Sequence, residues 1–457
     1  MRGLLLFLLV MVSTPATAEP VQVTVARQGE AFVADFILPA DAPAWGFWRS
    51  ATAASDDQPW RAKTWRVLTP GVTLVRRGRW DALVATNGRP VPRHVRVRLA
   101  PFTGDLNADY VPALRLGGGS VAVFDGHFAL FSVDRAAVLD SLPAGFDPAQ
   151  APVGDRGTAV AFKGRNLRLA GDIDGYRRGE SAGTYGLFGV PRASVRNGVA
   201  TVIDSELPRW IADDLAGFTP RVIAILTSRL GPSGIGQPTV LAAWEGIGRE
   251  GASMNGGTLK GLILMRFEGQ AALHEIPALR NMARWFIAHE ASHFWLGQAV
   301  GYETARDTWI MEGGADLLAV RTVSALDPNF DGRKVLNDAL KDCSALAKKP
   351  VAGAIERGDT RTNYACGAVF ALVAEKAGNG DFFAFAKRLI DANRTKAEVN
   401  SAIWLAALDR ASGQPALSRT MRELLDKGSP DPKAALAGLL KAAAIPYRVD
   451  AHGVPQL

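Results

Sequence analysis

Cysteine and histidine are both scarce: two of the first and six of the second among 457 residues. Two thiols allow one disulfide at most, which excludes a small scaffold stapled by bridges. Dense Lys/Arg runs are missing, and so is any interleaving of basic and aromatic residues. The net charge of +7 therefore reads as a solvated surface, and nucleic acid is not an expected partner. Beyond the first twenty residues no apolar run is long enough to span a bilayer. No fixed-period repeat is apparent.

What is present begins with "MRGLLLFLLVMVSTPATAEP". Arg2, an apolar run over Leu4–Val12 and small residues ending at Ala18 form a secretory signal (1–18), with cleavage expected before Glu19. The residue directly after the cleavage point is Glu19 and not cysteine, so a lipid anchor is not expected, nor is stable membrane insertion after cleavage. The mature chain is expected outside the cytoplasm, in a periplasm or secreted. There Cys343 and Cys366 either form one bridge or stay as two buried thiols, and export favours the bridge.

Residues 19–205 read as a β-rich domain, a sandwich or saddle-shaped sheet. "VQVTVA", "AFVADFIL" and "RHVRVRLA" alternate or are β-branched, and Gly, Pro and Asp clusters separate them. Asp125-Gly126 in "SVAVFDGHFALFSV" predicts a hairpin. His94 and His127 stand alone in strand patterns and read as surface or packing residues.

Near Pro208 the period changes. A helix with an interruption at Pro220 is expected, then strands at "PTVLAAWE" and "LKGLILMRFEG" around the turn "GREGASMNGG". A helix should start at Pro277 and run to about Leu296 with Gly297 as its stop, and a second should cover Ile310 to about Leu326. Residues 206–326 thus read as a mixed strand-and-helix domain and 327–457 as a helical one. Asp431-Pro432 is a helix-start pair in that tail.

The chemistry concentrates in "AHEASHFWLGQAV". His289 and His293 at i and i+4 project from one helical face and can share a metal, while Glu290 beside them is placed to take a proton from a metal-bound water. Eighteen residues separate His293 from Glu312, which supplies the third ligand a catalytic zinc needs, leaving a fourth position open. Asp316, one turn further, is placed to accept an imidazole N–H and orient the ring. One Zn2+ is expected.

Across Ala288–Ala315 the text resembles the zinc aminopeptidases of the alanyl aminopeptidase and leukotriene-hydrolase group, whose pattern is HExxHxWxGNxV followed by WLNEG. His289, Glu290, His293, Trp295, Gly297, Val300, Trp309, Glu312 and Gly313 match; Gln298 and Met311 replace asparagines. The resemblance implies an α+β multidomain chain: a β-rich N-terminal domain, a thermolysin-like catalytic domain and a helical C-terminal domain. It implies that Tyr364, in "NYACGAVFALV", steadies the oxyanion, with Cys366 where the family has lysine. It also places "GASMN" (Gly251, Ala252, Ser253, Met254 and Asn255) at the family's substrate loop. There Met254 stands in place of the glutamate that grips a free α-amine; Glu245, Glu250 and Glu268 are nearby substitutes.

"DPNFDGRKVLND" approximates a calcium-loop spacing through Asp327, Asn329, Asp331, Gly332 and Asp338, but a plain interhelical turn is the simpler reading. The expectation is a zinc hydrolase acting on peptides, aminopeptidase-like. An endopeptidase, a non-peptide hydrolase or a non-catalytic binding protein on the same fold are the alternatives.

Overall fold

The computed structural model describes residues 19–143, 146, 148, 150–164, 168–170, 183–189 and 192–457. The expected signal segment 1–18 lies outside the described residues. Contacts divide the chain into two compact units, one built from residues up to Phe188, the other from Gly189–Leu457 with Arg115–Ala122.

In the first unit, two five-stranded sheets form the β-rich layer pair. One runs in the order Thr158–Lys163, Val21–Gln28, Ala31–Ile37, His94–Leu99, Trp65–Val67; the other Val153–Gly154, Leu130–Val133, Ala44–Phe47, Trp80–Ala85, Val72–Arg77. Alternation explains it: Val21, Val23 and Val25 are buried while Gln22 is exposed. Aromatic edges join the sheets, with Phe36 at 6.3 Å and Trp65 at 5.4 Å from Phe47. A short helix, α1 (Trp60–Thr64), places Arg61 in this layer, fully buried, bonded to Asp81 at 2.9 Å and to the His127 carbonyl at 2.7 Å.

The hairpin expected at Asp125-Gly126 does not form. Asp125 exchanges backbone and side-chain bonds with Thr184, both at 2.9 Å, and Asp125–Phe128 becomes a 3-10 turn. Leu130–Val133 pairs instead with Ala44–Phe47. His127 is a packing residue: its Nε2–H donates to the Tyr110 carbonyl at 2.8 Å, and burial, with the Arg61 charge, pushes its pKa well below the ordinary value. His94 is exposed beside Asp35.

The second unit has a five-stranded sheet ordered Arg192–Arg196, Val199–Ile203, Thr239–Trp244, Leu262–Glu268, Ser253–Leu259. Its edge strand, Ser253–Leu259, runs antiparallel to Leu262–Glu268, so the expected glycine-rich turn is half strand. Helix α2 (Arg209–Leu230) continues through Pro220 without the expected break. The Thr219 hydroxyl takes the Leu215 carbonyl at 2.7 Å, and Phe218, Val222 and Leu226 anchor both halves in the core. Then follow α3 (Pro277–Ser292), α4 (Thr308–Leu326), α5 (Gly332–Leu346), α6 (Arg361–Ala377), α7 (Phe382–Asn393), α8 (Ser401–Ser412), α9 (Pro415–Asp426) and α10 (Pro432–Ala442). Asp431 caps α10 by accepting from Ala434 N at 3.1 Å.

One hydrophobic core runs from Val199 to Ile445. The expected boundary at 326/327 therefore crosses a continuous core, because α5 and α6 pack on α4, and the boundary at 205/206 falls inside the second unit. Among the described residues, no helix is long and apolar enough to cross a membrane.

Candidate metal centre

Helix α3 starts with Pro277 at its first turn and ends at Ser292, four residues before the expected end. His293 is its C-cap; the chain continues in tight turns to Gly297, whose φ of 139° suits glycine. The early stop has a chemical consequence. The His293 Nδ1–H donates to the Leu296 carbonyl at 2.9 Å, a bond impossible in a continuing helix, where that carbonyl points away. Gln298 fastens the same turn to the sheet edge, donating to the Leu259 carbonyl at 2.8 Å and accepting from Gly261 N at 3.1 Å.

Helix α4 follows a capping box made by Thr304 and Asp307. Asp307 also accepts from Ser401 N at 2.8 Å, and Trp309 Nε1 donates to Ser401 Oγ at 3.1 Å. The indole of Trp295 donates to the Gly231 carbonyl at 2.8 Å. Both motif tryptophans are thus anchors that set the positions of α3 and α4.

His289, His293 and Glu312 converge. The Nε2 atoms lie 3.1 Å apart, and Glu312 Oε2 is 3.4 Å from one and 3.5 Å from the other. Zinc–ligand bonds of about 2.0–2.1 Å in tetrahedral geometry put ligand atoms about 3.3 Å apart, so the triangle fits. Its chemistry fits as well. The Leu296 carbonyl takes the hydrogen of His293 Nδ1, leaving the Nε2 lone pair toward Glu312, and Asp316 Oδ1 sits 2.8 Å from His289 Nδ1, where it can favour the same tautomer. Glu312 Oε2 is buried with no hydrogen-bond donor. Two lone pairs and a carboxylate oxygen aimed at one point call for a cation. Among the described residues this is the one group of three such ligands.

Electrostatics agree in direction. Burial alone would lower both histidines, but Asp316 and Glu312 raise His289 well above its ordinary value, and Glu312 raises His293. Burial pushes Glu312 up, and its contacts to the two imidazoles reverse this and hold it far below the usual carboxylate range. For Asp316 burial wins over His289, and its pKa is raised.

Glu290 is buried beside the triangle, and Thr258 reaches it from the sheet edge. The threonine hydroxyl lies 2.7 Å from Glu290 Oε2 and 2.8 Å from the Glu290 carbonyl. The sequence does not single out Thr258; it sits four residues beyond Met254 on one face of an edge strand, and only the pairing of that strand brings it to Glu290.

Tyr364 stacks on His289 at 5.7 Å. Burial and the charges of Glu312, Glu290 and Asp316 push its phenol far up, keeping it a hydrogen-bond donor. It arrives there through glycines: a side-chain carbon on Gly367 would lie 2.9 Å from Gly313 Cα and closer still to the Trp309 carbonyl. Cys343 and Cys366 form a disulfide joining α5 to α6 beside that crossing.

The "GASMN" residues divide. Gly251 and Ala252 lie in the loop, and Ser253, Met254 and Asn255 open the edge strand. Met254 shares a strand face with Thr258 and packs partly buried against the core. Of the nearby acids, Glu245 pairs with Arg266 at 2.7 Å and Glu268 with Arg249 at 2.9 Å, while Glu250 is exposed. The calcium-like stretch is a turn. Asp331 caps α5 through Lys334 N at 2.9 Å, Asp327 accepts from Arg284 at 2.7 Å and Asp338 from Lys334 at 2.7 Å.

The whole-chain fold is similar to that of an M1 zinc metallopeptidase from Deinococcus radiodurans, a variant bound to the substrate Tyr-Ser-Ala: TM-score 0.50, 16% identity, 90% of this chain and 94% of that one. This is the M1 metallopeptidase fold. Leukotriene A4 hydrolase from Saccharomyces cerevisiae is similar at TM-score 0.51 and 11% identity, over 91% of this chain and 68% of the yeast protein. No family model and no curated protein sequence matches the chain.

Proposed function

We propose that the protein is an exported, zinc-dependent metallopeptidase of aminopeptidase-like type. The observation that carries this is the ligand triangle of His289, His293 and Glu312 with buried Glu290 beside it, on the M1 fold. The Cys343–Cys366 disulfide supports an oxidising compartment, periplasmic or extracellular.

His289, His293 and Glu312 would hold a zinc ion, which would supply Lewis-acid polarisation of a peptide carbonyl and a water of lowered pKa. Glu290 accepts the proton of the attacking water and returns it to the leaving amine. The Thr258 hydroxyl orients that carboxylate by donating its hydrogen to Oε2 at 2.7 Å, with the Glu290 carbonyl as a competing acceptor at 2.8 Å. Tyr364, held protonated, donates to the oxyanion of the tetrahedral intermediate. Asp316 and the Leu296 carbonyl keep both imidazoles in the ligating tautomer.

A second reading, a relaxed peptidase or endopeptidase, is favoured by Met254: an apolar side chain stands where an amine-binding carboxylate is expected, and Glu245 and Glu268 are engaged by arginines. Mature protein assayed on free-amine and N-blocked peptides, with chelator and Glu290→Gln controls, separates the readings. Chelator-sensitive cleavage of free-amine peptides supports the first, and cleavage of blocked peptides supports the second. Chelator-insensitive cleavage, or none of any peptide, refutes both.

A further inference from the structure

One sheet of the first unit carries cations in register on its outward face. In His94–Leu99, Val95, Val97 and Leu99 are buried, so His94, Arg96 and Arg98 point outward; Trp65–Val67 likewise buries Trp65 and exposes Arg66. Backbone pairing sets Arg66 directly opposite Arg98 and continues that row through Val33 and Ala26 to Lys163. The row crosses five strands, about 19 Å at about 4.8 Å per interval. Ala26 and Val33 bring no charge to it, and Val33 is buried between the cations. Arg66, Arg98 and Lys163 are all exposed, and among the described residues none of the three forms an ion pair.

The neighbouring row holds a carboxylate, but it is engaged: Asp35 lies opposite Arg96, and its Oδ1 is 2.8 Å from Arg96 Nε. Like charges directly opposite each other destabilise a sheet, so the fold gains nothing from Arg66 set against Arg98. The same face exposes apolar side chains. Leu68, two residues beyond Arg66 and bonded through its N–H to the Arg96 carbonyl at 2.8 Å, is 43% exposed; Ile37, opposite His94, is 54% exposed. Guanidinium groups grip phosphate oxygens in pairs, and exposed leucine and isoleucine gain by leaving water. A lipid surface offers both at once, phosphates in its headgroups and an apolar boundary beneath them. A soluble polyanion would satisfy the arginines and leave Leu68 and Ile37 in water.

We propose that this face docks the protein on a membrane surface rich in anionic phospholipid, with Arg66, Arg98 and Lys163 on the phosphates and Leu68 and Ile37 at the acyl boundary. The docking face belongs to the first unit and the metal centre to the second, so the proposal stands apart from the peptidase reading.

The test is co-sedimentation with vesicles of phosphatidylcholine alone, or of phosphatidylcholine and phosphatidylglycerol in equal parts. It uses mature protein beginning at Glu19, so that the expected signal segment cannot insert. Binding to the mixed vesicles should be at least about tenfold tighter than to the neutral ones, and should weaken as salt rises from about 0.05 M to about 0.3 M. Each cation at an anionic surface contributes about fivefold, so Arg66→Gln combined with Arg98→Gln should cut the partition by at least about tenfold. Leu68→Ser should cut it by about threefold or more. Arg388→Gln combined with Arg410→Gln removes the same charge from exposed positions on α7 and α8 and should leave binding unchanged. The Arg66/Arg98 variant should keep or raise its melting midpoint, because a repulsion is relieved. A lowered midpoint assigns the two arginines to the fold and overturns the proposal. So does an absence of vesicle binding, equal binding to both compositions, or equal loss in the Arg388/Arg410 variant. Retention on dextran sulfate without vesicle binding overturns it too, and marks a soluble polyanion as the partner.

Discussion

Gly367→Ala tests whether the glycine crossing of α4 and α6 positions Tyr364. A methyl there lies 2.9 Å from Gly313 Cα and 3.1 Å from Gly313 N, with the Trp309 carbonyl nearer still. Carbon contacts settle at about 3.5–4.0 Å, so the helices must separate by roughly 1 Å. Backbone atoms cannot swing aside as a flexible side chain would, which puts the cost at the upper end of the roughly 1–3 kcal/mol of overpacking. Alanine returns about 1 kcal/mol of helix propensity. The net loss is about 1–2 kcal/mol, a drop of a few degrees in melting midpoint for a unit this large. The effect on turnover should be larger than the effect on stability. A displacement of about 1 Å moves the Tyr364 phenol from the oxyanion, worth on the order of a hundredfold in kcat. Zinc stoichiometry reports whether Glu312, next to Gly313 at the crossing, is displaced as well. Midpoint, zinc stoichiometry and kcat measured on one preparation decide it. Unchanged midpoint and kcat would show that the crossing is not tight, and the account of how Tyr364 is placed would fail.

Three further outcomes are expected. Removing the Cys343–Cys366 bridge by double serine substitution, which opens a loop of 23 residues, should cost about 3 kcal/mol in denaturant unfolding, and reductant should reproduce the loss in the unsubstituted protein. In metal-free protein His289 and His293 have raised pKa values, so they add stability that is complete below the ordinary histidine pKa and is lost as pH rises through the raised ones; zinc must displace those protons, so its affinity should fall as pH falls, with proton release visible by calorimetry in buffers of different ionisation heat. Thr258→Val should lower kcat by roughly tenfold or more with KM little changed, and Thr258→Ser should restore it; equal damage by both would make the contact mere packing.

The residues that converge in the structure were legible because a metal site imposes residue type and spacing. Two histidines one turn apart and Glu312 at a set distance admit few other readings, and Asp316 follows from helix period alone. Thr258 was not legible, since its role arises from strand pairing that brings Gly256 and its neighbours against α3, a long-range event with no local signature. The fold was readable where one period dominated, as in the valines of Val21–Gln28 or the capped start of α10. It failed where tertiary contacts overrode local preference. Asp125-Gly126 has hairpin chemistry but bonds to Thr184; Pro220 should break a helix but lies buried in one; α3 stops early because His293 turns its ring to Leu296. Met282 and Trp285 look like any helical packing pair in sequence, and only the structure shows that they line a cleft between α3, α4, α5 and α6.

Metal analysis of purified mature protein is the most direct test of the central claim that the triangle is a catalytic zinc centre. The account predicts one zinc per chain, lost in His289→Ala, retained in Glu290→Gln, and required for peptide cleavage that Glu290→Gln abolishes. Protein that binds no zinc, or that keeps both zinc and activity in His289→Ala, would contradict it.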